Sequence, residues 1–319
     1  MFPAPSRRDF LQLALGAAGL SLAPRALAQA RPPSSPVSEV RHAALTTSQL
    51  GENLTVISGA GGNVVVVNAP DGVVMVNGGL AERSPELLKK VDEVSGGKRV
   101  HALFNTDWHR DHTGSNESLG KSGTEIIAHE NTRQYLGNRI HVDWQDRTYK
   151  PMPSYALPKH GLYTTGKMTI GNERVEYGHL GQAHTDGDIY VFFPNSNVLV
   201  AGDALTVDAY PIPDYVSGGW IGGFVAAVKT MIDVTNADTR VVPGTGPVQT
   251  RADLQAEHDM LAAVRERLIK LVRQGMGVDE IVGAGATKEF DERWGDPEVF
   301  LRVTWRGMML HVRELGGIV

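Results

Sequence analysis

The sequence predicts an α/β domain in which two β-sheets lie against each other and helices cover their outer faces. Three observations support this fold class. The chain has 319 residues, and 41% of them are hydrophobic, which is enough for one large core. From Asn53 onward, short β-branched runs and turns alternate with stretches of helical periodicity. The order is strands, helices, strands and helices again, as expected for a layered α/β domain.

The first half of the domain opens with a meander of strands. Its β-branched runs are separated by the turn sequences Gly-Ala-Gly-Gly and Pro-Asp-Gly. Ser84 is placed to cap the first helix. The predicted strands are 54–58, 63–68, 73–77, 99–105 and 125–128, and the predicted helices are 85–94, a short one after Thr113, and 131–136.

The second half follows a segment without regular periodicity. Residues 139–166 hold Pro151, Pro153, Pro158 and several aromatic residues, so we expect a long loop that overhangs a site. Beyond it, strands are predicted at 168–170, 174–180, 189–193, 198–201 and 239–242, and helices at 222–235, 251–274 and 297–312.

The N-terminus is typical of an export signal. Arg7 and Arg8 precede a modestly apolar stretch, and Ala28 and Ala30 offer cleavage sites, so residues 1–30 resemble a twin-arginine signal peptide. The apolar run is shorter than the roughly 20 residues of a bilayer span, so no stable membrane insertion is expected after cleavage. We expect the twin-arginine export machinery to deliver the protein to the periplasm. Residues 31–45 then form a Pro- and Ser-rich linker, and residues 46–319 form the folded domain.

Composition excludes several classes of function. The chain has no cysteine, which excludes disulfides, thiolate metal sites, Cys-ligated iron–sulfur clusters and thiol catalysis. Any metal must therefore be held by nitrogen and oxygen ligands. The net charge is −5 and no basic run occurs, so we expect no nucleic-acid partner. The expected partner is a small-molecule substrate.

Four potential metal ligands fall within six residues after the strand at 99–105. Asp107, His109, Asp111 and His112 stand in Asp-Trp-His-Arg-Asp-His-Thr-Gly. In an extended or turning segment, residues two apart point the same way, so the first three can converge while His112 turns aside. One loop can therefore serve two adjacent metal ions. A purely structural role for these four residues would not explain why they cluster.

Two later segments offer further ligands at strand ends. His184 lies in Gly-Gln-Ala-His-Thr-Asp-Gly-Asp between two predicted strands, and Asp203 follows Gly202 at the end of the strand at 198–201. Histidine and carboxylate are ligands for a hard or borderline divalent metal.

At these residues the sequence resembles the metallo-β-lactamase superfamily, whose pattern is HxHxDH, a distant His, a Gly-Asp and a Gly-His-Gly. The resemblance extends from about Asn53 to the C-terminus and implies a four-layer αββα sandwich with C-terminal helices in a single domain. Two metal positions depart from the pattern, since Asp107 replaces the first His and Thr245 replaces the last. Asn77 stands where the family commonly has an Asp that supports the site.

The resemblance also implies a ligand set. It assigns Asp107, His109 and His184 to a first metal, Asp111 and His112 to a second, and Asp203 to a position between them. Carboxylate oxygen is an accepted zinc ligand, so Asp107 alters the first site without removing it. A neutral hydroxyl is a poor zinc ligand, so we expect one or two zinc ions with weak occupancy of the second site.

The function implied is zinc-dependent hydrolysis of a small ester, lactone or cyclic amide. In the family's mechanism a metal-bound hydroxide attacks a carbonyl, and a carboxylate orients the nucleophile, a catalytic role that falls here to Asp111. A β-lactam is the leading named substrate, because these drugs act in the periplasm. Two alternatives remain: a protein of the same fold that binds metal or ligand without catalysis, and an iron-dependent redox or sulfur-transfer member.

Aromatic residues close to the ligands are candidates for a substrate pocket. Trp108 lies inside the ligand loop, and three more aromatic residues follow Asp203. An equally good interpretation is that these rings seal the base of a helix. The candidate pocket residues are Trp108, Tyr210, Tyr215, Trp220 and Thr245.

Overall fold

Two β-sheets form the centre of this computed structural model. Successive residues of a strand face opposite sides of its sheet, so each sheet can pack against the other sheet on one face and against helices on the other. The structure describes residues 43–170 and 173–314, without the side chains of residue 160 and residues 312–314. The predicted signal peptide and most of the predicted linker lie outside the described residues. The described residues all belong to one compact unit, Pro32–Val319.

The first sheet has seven strands and is mixed. Its first four strands are antiparallel neighbours, and the next three are added in parallel. In order across the sheet the strands are β1 Thr46–Gln49, β2 Leu54–Ser58, β3 Val64–Ala69, β4 Gly72–Val76, β5 Val100–Phe104, β6 Glu125–His129 and β9 His160–Leu162.

The second sheet has six strands in chain order. All neighbours are antiparallel except the fourth and fifth strands, which run parallel. The strands are β10 Thr165–Ile170, β11 Glu173–His179, β12 Ile189–Phe193, β13 Val198–Gly202, β14 Arg240–Pro243 and β15 Gln249–Thr250. A separate two-stranded hairpin consists of β7 Ile140–Val142 and β8 Arg147–Tyr149.

In the described part of the chain, five helices lie in connections between strands and four follow the last strand. They are α1 Ser84–Ser95, α2 Arg110–Thr113, α3 Asn116–Lys121, α4 Glu130–Gly137, α5 Ile221–Val234, α6 Arg251–Arg273, α7 Val278–Gly283, α8 Asp291–Trp294 and α9 Glu298–Glu314. Among the described residues, no helix combines the length and the apolar composition that crossing a membrane requires.

The layers follow from the alternation of residues along β3. Val65 and Val67 belong to the apolar cluster between the two sheets, together with Phe193 of β12. Val64 and Val66 face the other way and pack with Leu87 of α1. On the far side, α5, α6 and α9 cover the second sheet through a third apolar cluster. The four-layer αββα sandwich that the family resemblance implies is confirmed.

Most predicted elements are confirmed to within a few residues, but the segment 139–166 is a correction. It was expected to be an irregular loop, whereas it contains the β7–β8 hairpin, strand β9 and the start of β10. The hairpin has its own small apolar cluster with Trp108 and Leu136, which explains its order. Strand β1 and the short helices α7 and α8 are further elements that the sequence patterns did not reveal.

Helix α6 carries a buried acid beneath the second sheet. Glu257 is 1% exposed, its Oε2 accepts a hydrogen bond from the Thr206 backbone N–H at 3.1 Å, and its Oε1 has no partner. Burial raises the pKa of Glu257 to about 8, although the hydrogen bond from Thr206 and the charge of Arg293 oppose it. The folded chain therefore holds a proton here that the unfolded chain releases at lower pH.

Replacement of this acid by its amide is expected to change how stability depends on pH. Between the ordinary glutamate pKa and about pH 8, the folded state binds more protons than the unfolded state, so the free energy of unfolding falls as pH rises. Glu257→Gln keeps an acceptor for Thr206 and removes this titration. We expect the variant to gain stability relative to wild type from pH 5 to pH 8, as measured by urea unfolding.

The control is Glu266→Gln on the exposed side of the same helix, which should follow wild type at every pH. Parallel stability curves for wild type and Glu257→Gln would contradict the interpretation.

Candidate metal centre

The ligand loop begins where β5 ends and is held by the end of the neighbouring strand β4. Asn77 has a left-handed backbone, with φ of 66°, and its Oδ1 accepts hydrogen bonds from the backbone N–H and the hydroxyl of Thr106. Asp107 Oδ1 in turn accepts a hydrogen bond from the His109 backbone N–H at 2.7 Å. These bonds fix the direction of the loop as it leaves the sheet.

His109 is oriented by a carboxylate from a distant part of the chain. Its Nε2 lies 3.3 Å from Oδ2 of Asp214, which is fully buried. A carboxylate only accepts, so Nε2 carries the proton and the lone pair of Nδ1 faces the site. Although burial opposes ionisation, hydrogen bonds from His109, Ser217 and Trp144 lower the pKa of Asp214 to about 2.

His184 is oriented in the same way by a backbone carbonyl. Its Nδ1 donates to Ile212 O at 2.6 Å, which leaves the lone pair of Nε2 directed inward. Asp188 fixes the backbone here, since its Oδ2 accepts from the N–H groups of His184 and Thr185. His184 Nε2 and His109 Nδ1 are 2.7 Å apart. Two lone pairs at this distance require a cation or a proton between them.

Asp203 reaches the centre because two glycines leave room for it. Gly202 ends β13 at a register shift, with φ of 57°, and a Cβ there would lie 2.5 Å from the Thr106 hydroxyl oxygen. A Cβ on Gly244 would lie 1.8 Å from Asp203 Oδ1. The Gly-Asp and Pro-Gly motifs therefore allow the ends of β13 and β14 to meet the ligand loop.

The side chains form two groups of possible metal ligands that share Asp203. One group is His109, His184 and Asp203, and the other is Asp107, His112 and Asp203, with the ligand atoms of each within 4.8 Å of one another. Asp107 lies close to both groups, since its Oδ2 is 3.6 Å from His112 Nε2 and its Oδ1 is 3.7 Å from Nδ1 of His109, with which the family resemblance groups it. Asp111 belongs to neither group, and its Oδ2 is 4.0 Å from His112 Nε2.

His112 provides the test of whether a metal fits. The residue is fully buried, and neither ring nitrogen makes a hydrogen bond. Its Nε2 lies 3.2 Å from Asp203 Oδ1 and 3.6 Å from Asp107 Oδ2. A buried imidazole without a hydrogen bond is costly unless something else binds it. A divalent cation bound by nitrogen and oxygen satisfies this requirement, and the residues present fit zinc or iron.

The electrostatics of the site point in the same direction. Burial opposes protonation of His109, but the hydrogen bond to Asp214 and the charges of Asp107 and Asp111 raise its pKa to about 9. The pKa of His112 is also raised, by Asp107, Asp203 and Asp111. The centre therefore has a strongly negative potential that favours a cation.

A cavity of about 800 Å³ leads to these ligands. His109, Asp111, His184 and Asp203 line it, and so does Thr245 at the loop after β14. This volume is in the range of small-molecule sites. The hairpin and the residues that follow it supply much of the remaining wall through Trp144, Gln145, Arg147, Thr148, Tyr149, Lys150, Pro151 and Met152.

The aromatic candidates from the sequence lie in different environments. Trp108 is fully buried behind His109, with its ring 5.0 Å from that of Tyr149. Tyr210 stacks on Phe300 and Trp220 stacks on His311, both within the helical layer. The Tyr215 hydroxyl donates to Asp143 Oδ1 of the hairpin turn at 2.6 Å. Among the described residues that line the cavity of about 800 Å³, Thr245 is present and these four aromatic residues are not.

Sequence reasoning missed Asp214 and Trp144. Trp144 Nε1 donates to Asp214 Oδ1 at 2.9 Å, so one carboxylate orients both a candidate ligand and the cavity wall. Asp214 lies in a Pro- and Tyr-rich segment with no recognisable motif. Its proximity to His109 depends on a fold contact between residues 105 positions apart.

Comparisons with known proteins point to one family. The model of the family "Metallo-beta-lactamase superfamily" matches residues 57–254. A metallo-beta-lactamase type 2 from Bacillus cereus is 22% identical over 225 residues, which cover 68% of this chain and 82% of that protein. The 2,4-dinitroanisole O-demethylase subunit alpha from Nocardioides sp. is 24% identical over 204 residues, which cover 63% of this chain and only 56% of that protein.

A solved structure shows the same fold. The inverting sec-alkylsulfatase Pisa1 from Pseudomonas sp. superposes with a TM-score of 0.63 at 14% identity, covering 82% of this chain and 50% of that one.

Removal of the charge behind His109 is expected to weaken metal binding. Asp214→Asn leaves the shape of the side chain nearly unchanged. The uncharged amide, however, no longer offers His109 the ionised acceptor that fixes its tautomer. Since loss of such a supporting carboxylate typically costs 10- to 100-fold in metal affinity, we expect a decrease of about that size. Zinc affinity, measured by competition with a chromogenic chelator, tests this.

Asp238→Asn, at an exposed carboxylate remote from the ligands, is the matched control. A folded Asp214→Asn protein that binds zinc like wild type would refute the role of Asp214.

Proposed function

This chain belongs to the metallo-beta-lactamase superfamily, and we propose that it is a zinc-dependent hydrolase of a small ester, lactone or cyclic amide. One observation carries the proposal: two groups of three histidine and carboxylate ligands share Asp203 at the end of a cavity of about 800 Å³. A β-lactam is the leading candidate among cyclic amides. The similarity to the metallo-beta-lactamase type 2 from Bacillus cereus and the predicted periplasmic location support it.

The proposed metal ligands are His109, His184 and Asp203 for one ion, and Asp107 and His112 with the same Asp203 for another. When bound, the metal supplies a Lewis acid for the scissile group and a positive charge that favours ionised water. The protein's own contribution is orientation. Asp214 and the Ile212 carbonyl fix the imidazole tautomers, so that both inward nitrogens are free to bind.

We propose that Asp111 accepts the proton of the attacking water. It lines the cavity, its side chain is 34% exposed, and it lies in neither ligand group, so its carboxylate is free to face substrate and water. Burial raises the pKa of Asp111, while the charge of His112 opposes this. An oxygen of the Asp111 carboxylate can orient the attacking water and accept its proton.

Metal content and metal dependence test the proposal. We expect between one and two zinc ions per chain in protein purified without added metal, and hydrolysis of ester, lactone or β-lactam substrates that ceases after dialysis against a chelator. Added zinc should restore the activity. His184→Ala should lower metal content, and it should lower turnover at least about 100-fold. The reason is that the group of His109, His184 and Asp203 then has one imidazole ligand in place of two.

Folded protein without metal would instead favour a binding protein of the same fold. Bound iron would direct the search to redox or sulfur-transfer chemistry.

The role of Thr245 can be tested by restoring a nitrogen ligand. Thr245 lines the cavity next to Gly244, which touches Asp203, so Thr245→His adds a donor close to the group that contains His112. We expect metal content to approach two per chain and turnover to rise roughly tenfold, since a fourth ligand strengthens a three-ligand site. Thr245→Val adds no donor and is the control. Unchanged metal content in Thr245→His would contradict this assignment.

A further inference from the structure

We propose that Arg110 and Arg147 form a subsite that binds the anionic group of an organic monoanion, such as a carboxylate or sulfonate, with an apolar body. The inference rests on the proposed function, because it names the class of substrate that the same cavity admits. The subsite lies on the wall made by the β7–β8 hairpin and by the first residue of α2.

Three basic residues meet on this wall. Arg110, Arg147 and Lys150 all line the cavity that leads to the metal ligands. The two guanidinium groups lie against the same ring, Tyr149, with their carbon atoms 5.7 Å and 4.8 Å from its centroid. The Tyr149 ring is therefore in cation–π contact with both guanidinium groups of this wall.

These charges lack acidic partners. Within residues 43–170 and 173–314, no carboxylate comes within ion-pair distance of Arg110, Arg147 or Lys150. The acidic residues that line the same cavity are Glu82, Asp111, Glu117 and Asp203. Some other arginines do have a carboxylate partner, as Arg267 has in Glu289. An anion bound beside these guanidinium groups would accept charge-assisted hydrogen bonds from them and neutralise their charge.

The wall is held rigidly, so the anion would bind at a defined distance from the metal ligands. Arg110 donates to the Lys150 carbonyl at 2.6 Å, which joins the ligand loop to the hairpin. Asp143 of the hairpin turn accepts from Tyr215 at 2.6 Å and from Arg306 of α9 at 3.0 Å. Positions fixed in this way lower the entropic cost of binding.

The other residues that line the cavity indicate that the uncharged part of the ligand is apolar. Leu80, Trp144, Tyr149, Met152 and Ile212 line the space that also contains the two arginines. An aromatic or branched aliphatic group can occupy this space while its charge lies on the arginines. A neutral molecule of the same shape would lose the charged contact only.

A matched pair of non-hydrolysable probes tests the subsite. Isothermal titration of the metal-loaded protein with 2-naphthalenesulfonate and with neutral methyl 2-naphthyl sulfone isolates the charge, because a sulfonate is a poor metal ligand. We expect the sulfonate to bind about tenfold more tightly, and its affinity to fall with added salt. Arg147→Gln should weaken sulfonate binding by about 3- to 10-fold, so that the sulfonate binds only slightly more tightly than the sulfone. Arg110→Gln should act in the same direction.

Lys159→Gln is the control, since Lys159 is exposed in the same segment but does not line the cavity. Equal binding of the two probes to wild type, or unchanged sulfonate affinity in Arg147→Gln, would overturn the inference. Because the titration needs no turnover, it separates the two proposals. Selective sulfonate binding in a protein that hydrolyses nothing would leave the subsite intact and remove the hydrolase.

Discussion

Asp203 lies between two groups of ligands, and its position depends on how closely the ends of β13 and β14 approach the loop after β5. Gly202 and Gly244 allow that approach, because a side chain at either position would collide with Thr106 or with Asp203 itself. The shared carboxylate brings His109, His184 and His112 into one centre. Without Asp203, the pair His109 and His184 and the pair Asp107 and His112 would have no ligand in common.

The negative charge that gathers around Asp203 governs the rest of the site. Asp107 and Asp214 are both buried, and buried charges persist only when they are paired. Asp214 is paired through hydrogen bonds from His109, Trp144 and Ser217, and these bonds also connect the centre to the hairpin wall. The candidate metal ligands and the wall of the cavity are therefore parts of one hydrogen-bonded unit.

Local patterns were sufficient for most of the fold. The β-branched runs of β2 to β4 and the helical periods of α5, α6 and α9 reflect burial, which tertiary contacts reinforce. Hairpin β7–β8 was missed because its strands have three residues each, too few to show a period of two. Its order comes from packing against Trp108 and from the bonds of Asp143 and Trp144, which no local pattern encodes.

The sequence by itself determined the fold class, the order of elements and the set of candidate ligands, because these depend on periodicity and on short motifs. Only the tertiary structure decided how the ligands group, since Asp107 and His112 meet through the turn of the loop and not through their spacing. It alone joined Asp214 to His109 and brought Arg110 and Arg147 to one ring. Such contacts depend on where distant segments pack, and that is a property of the whole chain.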